Sequence, residues 1–397
     1  MRNSPLFVII LTVFVDLIGF GIIIPLLPFY AQDLGASPTT LGLLVASFSL
    51  MQFIFAPVLG RLSDRFGRRP IILLSLLGST TGHLIFALAD SLPLLFLSRI
   101  TAGIAAANLS VAQAYIADTT PPKERARGMG FIGASFGVGF IIGPVIGGSL
   151  SVYGFSAPGF AASAIAFSNL LLALTLLPES LPQPLRTDDG IIPRKPGGFI
   201  EGFRRPMIGG LLTTFFVVSF SFATIPVTFP LLGIELFDLG PSDMSFIFIY
   251  IGVIQVFIQA GMMGRLVRWL GEERLLALGT ILMTTTIFAI PFIPDLGAFL
   301  LLTGLLSTGV SIINPVVPSM ISKRTPASEQ GNMLGLTQSV ASLARVPGPL
   351  SGGLIFEHIG VAAPFIISAA LMLLGFALSA RIFLRIGRTE PVAQQID

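Results

Sequence analysis

Apolar stretches of about 20 residues, long enough as helices to cross a bilayer's hydrocarbon core, recur along the whole chain with short polar breaks between them. Their limits predict twelve membrane-spanning helices, at residues 6–29, 39–59, 71–88, 93–116, 128–150, 158–178, 206–231, 244–263, 275–293, 298–320, 332–354 and 362–381. The widest polar break, residues 179–205, holds Glu179, Arg186, Asp188, Asp189, Arg194, Lys195, Glu201, Arg204 and Arg205 among several prolines. Such a composition suits a linker between domains. The pattern thus predicts an all-α membrane protein with a six-helix bundle at 1–178, a cytoplasmic linker at 179–205 and a second six-helix bundle at 206–397. The apolar run behind Arg2 has no small-residue cleavage site before Tyr30, as a signal peptide would, and reads as the first span.

The two halves repeat. Ile116-Ala117-Asp118-Thr119-Thr120-Pro121 aligns with Ile321-Ser322-Lys323-Arg324-Thr325-Pro326 at an offset of 205 residues, which also carries Glu124 onto Glu329 and Gly130 onto Gly335. The same offset carries Gly143-Pro144, Gly147 and Gly148 onto Gly348-Pro349, Gly352 and Gly353. At an offset of 204, Gly60-Arg61-Leu62 falls on Gly264-Arg265-Leu266 and Gly67 on Gly271, while Asp64 meets Arg268. Parallel six-helix repeats are the architecture of alternating-access transporters, with the substrate held between the halves.

Charge fixes the expected orientation. With the N-terminus in the cytoplasm, all but two of the 23 basic residues fall in cytoplasmic loops or termini, and the two exceptions, Arg99 and Arg345, lie inside spans. This satisfies the positive-inside rule for an even number of crossings, so both termini are expected in the cytoplasm and the protein in the inner (cytoplasmic) membrane. A nucleic-acid patch would not alternate in this way. Only 11% of residues are charged, 53% are hydrophobic and the mean hydropathy is +0.89, against about a quarter charged in soluble proteins. The chain has no cysteine, two histidines, three lysines, and neither a nucleotide-binding P-loop nor a zinc-protease motif. An enzyme, a metal site and a cofactor are therefore not expected. The partners indicated are the lipid bilayer, a small-molecule substrate and an ion, and the chain is expected to work as a monomer.

Four ionisable groups inside spans are the candidates for proton coupling. Asp16 lies about ten residues into span 1, near the midplane, where an aspartate costs roughly 2.5–3.5 kcal/mol to insert. It is a candidate to bind a proton or a cationic substrate; alternatively it hydrogen-bonds helix backbone loosened by Gly19, Gly21, Pro25 and Pro28. Arg99 sits near the start of span 4, close enough to a surface to snorkel outward. Arg345 lies about thirteen residues into span 11, which calls for a cavity or a carboxylate partner. His83 in span 3 titrates near neutral pH in water; its other reading is a hydrogen-bonded core histidine. The uncharged polar residues Gln52, Asn108, Gln113, Gln255, Gln259, Asn314 and Gln338 are candidates for substrate binding, or for interhelical bonds that hold the bundle, and Gln255 and Gln259 share a helix face.

The loop from Gly60 to Pro70 sets Arg65, Arg68 and Arg69 beside Asp64, with Gly60 and Gly67 expected to turn the backbone. An ion pair from this loop to Asp118, at the end of span 4, would form a conformational latch that must break in the other state. In span 5, Gly139, Gly143, Pro144, Gly147 and Gly148 join Gly133 and Gly137 on one helix; small residues let a neighbouring helix come close and the proline kinks it.

These residues resemble the major facilitator superfamily across nearly the whole chain. Gly60-x-Leu62-x-Asp64-Arg65-x-Gly67-Arg68-Arg69 is similar to that family's motif between spans 2 and 3. Arg99-Ile100-Thr101-Ala102-Gly103 resembles its span 4 motif, tied there to proton coupling. Gly139-x-x-x-Gly143-Pro144-x-x-Gly147-Gly148 looks like the span 5 motif of drug/proton antiporters. The Asp16-x-x-Gly19-x-Gly21-x-x-x-Pro25-x-x-Pro28 pattern looks like span 1 of their twelve-span branch. Runs such as Ser63-Asp64-Arg65-Phe66-Gly67-Arg68-Arg69-Pro70 are most similar to tetracycline/proton antiporters. Those carry an aspartate in span 3 where this chain has Gly82-His83, and multidrug relatives carry acidic residues in spans 7 and 10, whereas here spans 7 to 12 contain none. The resemblance implies efflux of a small amphipathic molecule in exchange for protons, with Asp16 and Arg99 as coupling residues. Carriage of one metabolite, such as a sugar or siderophore, fits the same pattern; a non-transporting sensor fits it less well, having no need of in-span charges.

Overall fold

A computed structural model describes residues 5–120, 125–181, 203–325 and 330–389, and every regular element among them is helical. The first half contains α1 (Pro5–Ile23), α2 (Leu27–Asp33), α3 (Pro38–Phe66), α4 (Arg68–Ala87), α5 (Leu92–Ala106), α6 (Leu109–Thr119), α7 (Arg125–Ser151) and α8 (Ser156–Leu176). The second contains α9 (Pro206–Ala223), α10 (Ile225–Phe237), α11 (Pro241–Val256), α12 (Met263–Ala289), α13 (Leu296–Lys323), α14 (Gln330–Ala344), α15 (Pro347–His358) and α16 (Ala363–Thr389), with a π-helical segment, Phe257–Met262, between α11 and α12.

Nine stretches among the described residues are long and apolar enough to cross a membrane, and one of them, Pro241–Phe292, is 52 residues long. Its backbone reverses at Gly271, whose φ of 76° and ψ of 160° interrupt α12, so it carries two passes. The eleventh apolar segment is divided between α14 and α15, and the twelfth is α16, which brings the passes to the twelve that the hydropathy pattern predicts.

Several spans break at mid-depth. The α9/α10 break precedes Pro226 and the α14/α15 break precedes Pro347, where a missing N–H and a steric restriction on the preceding residue stop the helix. The α5/α6 break at Ala107-Asn108 has no proline; there the Gln52 Nε2 of α3 donates to the freed carbonyl of Ala106 at 3.2 Å. Gly60, expected at a turn, lies inside α3 instead. The helix runs on to Phe66 because Arg61, Asp64 and Arg65 carry it past the apolar span as a charged turn, and only Gly67, with a φ of 104° that favours glycine, links α3 to α4.

By contact the chain divides into two compact units, Met1–Ile192 with Phe229–Val253, and Pro193–Thr228 with Ile254–Asp397. The hairpin 229–253 joins the first unit because α11 lies close on α7: a Cβ on Gly252 would stand 2.8 Å from Ile141, and one on Gly148 2.6 Å from Ser245. Within the first unit α7 is laid against α1, where Cβ atoms on Gly143 and Gly147 would meet Gly21 and Ile22 at 2.5 and 2.6 Å. The second unit repeats this contact in its own register, since Gly348 and Gly352 of α15 meet Ala223 and Thr228 of α9 and α10 at 2.8 and 3.1 Å. Without a strong hydrophobic drive between helices in lipid, such close backbone approach supplies the packing. Ile9, Leu76, Val111, Tyr115 and Ile116, all almost fully buried, form the core of the first unit.

Candidate functional site

Three of the in-span ionisable groups lie in the first unit, on α1, α4 and α5. Asp16, half-buried on α1, has the side chains of Ser79 on α4 and Asn108 at the α5/α6 break as its polar neighbours. Among the described residues no cation pairs with it. The close seat of α7 on α1 through Gly139, which would bring a Cβ within 3.0–3.1 Å of Leu17, fixes the helix one residue from that carboxyl. The buried His83 ring packs on the same helix: its Nε2 lies 2.9 Å from where Gly19 would carry a Cβ.

Arg99 does not snorkel outward. Its side chain is 2% exposed, with the guanidinium carbon 5.9 Å from the Phe48 ring and 5.5 Å from the Phe86 ring, and Nε donates to Ser98 Oγ at 3.5 Å. Two aromatic faces take the place of solvent around the charge. One terminal nitrogen of Arg99 and Nδ1 of His83 have no hydrogen-bond partner among the described residues. The two groups lie on α4 and α5, which meet at Gly82 and Ala102.

Of the amides, Asn108 is buried beside Asp16, Gln52 is half-buried and spends its donor on Ala106, and Gln113 is half-buried on α6. The remaining polar candidates belong to the second unit, except that Gln255 and Gln259 straddle the start of the π-helical segment, so the ordinary helical stacking expected of them is interrupted; Gln255 is half-buried and Gln259 exposed. Asn314, Gln338 and Arg345 are exposed, on α13, on α14 and at the end of α14.

At the charged end of the first unit, residues of the motif from Gly60 to Pro70 form an ion pair with Asp118. Arg68, at the start of α4, places Nη1 2.5 Å from Asp64 at the end of α3 and Nε 3.1 Å from Asp118 at the end of α6. Nη1 also donates to Ser63 Oγ at 2.7 Å. Glu179, just beyond α8, accepts from the backbone N–H groups of Arg68 and Arg69 at 2.9 and 3.3 Å, which caps α4 with a negative charge. Arg69 donates to the carbonyl of Leu174 at 2.7 Å, while Arg65 is exposed and lies over the ring of Phe66. The Arg68 guanidinium and the carboxylates of Asp64, Asp118 and Glu179 thus tie together the ends of four spans.

The sequence profile of the Major Facilitator Superfamily matches residues 9–346 and again 262–395. The chain belongs to the Major Facilitator Superfamily. It is 32% identical to multidrug resistance protein 2 of Bacillus subtilis (strain 168), over 95% of each chain, and 34% identical to the class C tetracycline resistance protein of Escherichia coli, over 88% of each. Among solved structures it is similar to the human organic anion transporter MFSD10 (TETRAN), with a TM-score of 0.72 and 26% identity over 95% of this chain and 99% of that one. It is a multi-pass membrane transporter and not an enzyme.

For a superfamily transporter built by duplication, the second unit holds a feature that reading for the first-half motif misses. Glu272 pairs with Lys323 at 2.9 Å and accepts from Ser319 Oγ at 2.6 Å, while Glu273 pairs with Arg324 at 3.0 Å. In the repeat register Glu272 corresponds to Arg68 and Lys323 to Asp118. The ion pair between the start of one span and the end of the next therefore recurs with its charges exchanged. The signal was present in the register, since both partners change sign together. Glu179 carried no comparable signal, lying in a polar segment with many charges.

Proposed function

We propose that this transporter exports a small amphipathic molecule across the cytoplasmic membrane in exchange for protons, working as a monomer by alternating access with both termini in the cytoplasm. The observation that carries the reading is the setting of Asp16: a carboxyl at mid-span whose polar neighbours are a hydroxyl and an amide rather than a cation. Such neighbours serve the ionised and the protonated forms alike, so the group is free to exchange a proton with whichever side has access. Arg99, enclosed between Phe48 and Phe86, holds a fixed positive charge in the same unit, and the ion pairs around Arg68 bias one of two conformations. Relatives named for multidrug and tetracycline resistance support efflux as the direction.

The test is accumulation of a panel of amphipathic dyes of either charge by proteoliposomes containing the purified chain, with and without an imposed pH gradient. At least one dye is expected to follow the gradient, and Asp16→Asn to abolish that dependence. Accumulation that ignores the gradient, or is unchanged in Asp16→Asn, overturns proton exchange.

A further inference from the structure

Arg345 occupies the break between α14 and α15, fifteen residues beyond Gln330 where α14 begins. At about 1.5 Å per residue this places it about 22 Å from that end and, thirteen residues before His358, about 20 Å from the end of α15, near the middle of the span. A guanidinium is always charged, and near mid-span such a group faces the bundle interior or a water-filled cavity. Yet it is exposed, and among the described residues its one side-chain hydrogen bond is donated from Nη2 to Ser342 Oγ at 3.2 Å. No carboxylate pairs with it there, and spans 7 to 12 contain none. Arg99 has the opposite setting, shut between two rings as part of the bundle.

The surroundings of Arg345 are polar and exposed as well. Gln338, Ser342 and Arg345, spaced by four and three residues, lie along one side of the span. Asn314 stands nine residues before the Lys323 end of α13 and Gln338 eight residues after the Gln330 end of α14, so the two amides share one layer, about 12–14 Å in. Helix α13 packs against both α14 and the π-helical segment, which holds the exposed Gln259. Exposed amides and a full charge at the depth of lipid tails mark a face that meets water or ligand. That face offers one fixed cation and only neutral amides, and its chemical complement is an anion. The proton itself has no place on Arg345, since guanidinium does not deprotonate.

We infer that the transported molecule bears an anionic group, a carboxylate, sulfonate or phosphate, and that Arg345 holds it, with Ser342 beside it and the amide of Gln338 two turns along the same helix. The paired N–H groups of arginine match the oxygens of such anions. The inference rests on the transport reading above in taking the bound molecule to be the substrate, but it does not require proton exchange.

Its test uses two dyes with one xanthene skeleton, anionic fluorescein and cationic rhodamine 6G, titrated by fluorescence polarisation against the full-length protein in phosphatidylcholine nanodiscs. Fluorescein is expected to bind more tightly, by at least about tenfold, which is the usual weight of one charged hydrogen-bonded contact. Arg345→Gln, shown to be folded by gel filtration, should lose that advantage, and Arg345→Lys should retain part of it. Equal binding of the two dyes, preference for rhodamine 6G, undiminished fluorescein binding in Arg345→Gln, or a lysine variant no better than the glutamine one would overturn the inference. So would a loss of fluorescein binding, when phosphatidylglycerol replaces phosphatidylcholine, that persists at high salt, where surface repulsion is screened, because the guanidinium then serves an anionic lipid headgroup. Binding as expected combined with transport that ignores a pH gradient would remove proton exchange and leave the anion site standing.

Discussion

A Cβ added to Gly143 would stand 2.5 Å from the carbonyl carbon of Gly21, inside backbone that has nowhere to move. Gly143→Ala is therefore expected to cost about 1–3 kcal/mol through overpacking and to displace the helix that carries Asp16, lowering both the melting temperature in detergent and dye transport. Gly133→Ala, on the same helix with nothing within 4 Å, should be neutral or stabilise by up to about 1 kcal/mol through helix propensity. Equal effects of the two would show that the contact between α1 and α7 is not what the span 5 glycines serve. The same dependence on neighbours separates the polar residues. Hydropathy placed Asp16, Arg99 and Arg345 within spans, but it treated Gln52 and Asn108 alike. Only the fold gives one to a broken helix's carbonyl and sets the other beside a carboxyl.

The ends of the spans carry matched devices of opposite sign. In the first unit Arg68 is the hub, one-tenth exposed and shared among Asp64, Asp118 and Ser63; in the second, Glu272 is the enclosed partner and Lys323, 62% exposed, the solvated one. A pair so open to water contributes less than about 1 kcal/mol, whereas removing a partner of Arg68 leaves an enclosed charge short of a counter-ion and costs more. Asp64→Ala is expected to slow dye transport several-fold while membrane insertion, measured by blotting of membrane fractions, is unchanged; failed insertion would return the motif to a purely topological role. Glu272→Lys alone should slow transport less, and Glu272→Lys with Lys323→Glu should restore it. A double variant no faster than the single one would mean that the exchanged pair is not a latch. Helix limits were legible wherever proline, glycine or charge punctuates the pattern. The α5/α6 break was not, because neither proline nor glycine marks it and a side chain from another helix completes it.

For the molecule as a whole, the cysteine-free sequence allows single labels to test orientation. Tyr153→Cys, at a 78% exposed position between α7 and α8, should react with a membrane-impermeant maleimide on intact cells. Arg186→Cys in the linker should react only after permeabilisation. The reverse pattern would invert the orientation that the distribution of lysine and arginine implies. Much of the molecule was legible in advance because insertion into a bilayer is decided segment by segment: length and apolarity set the spans, basic residues set the expected sidedness, and the repeat set the relation between halves. What the sequence determined by itself is thus the number of passes, their order and the chemical identity of every polar group within them. The tertiary structure alone decided what each group meets, since that depends on helix rotation, on breaks at mid-span and on how closely glycines let backbones approach. Arg99 and Arg345 are the same residue in spans of similar hydropathy, yet one is closed between two phenylalanines and the other stands exposed beside Ser342.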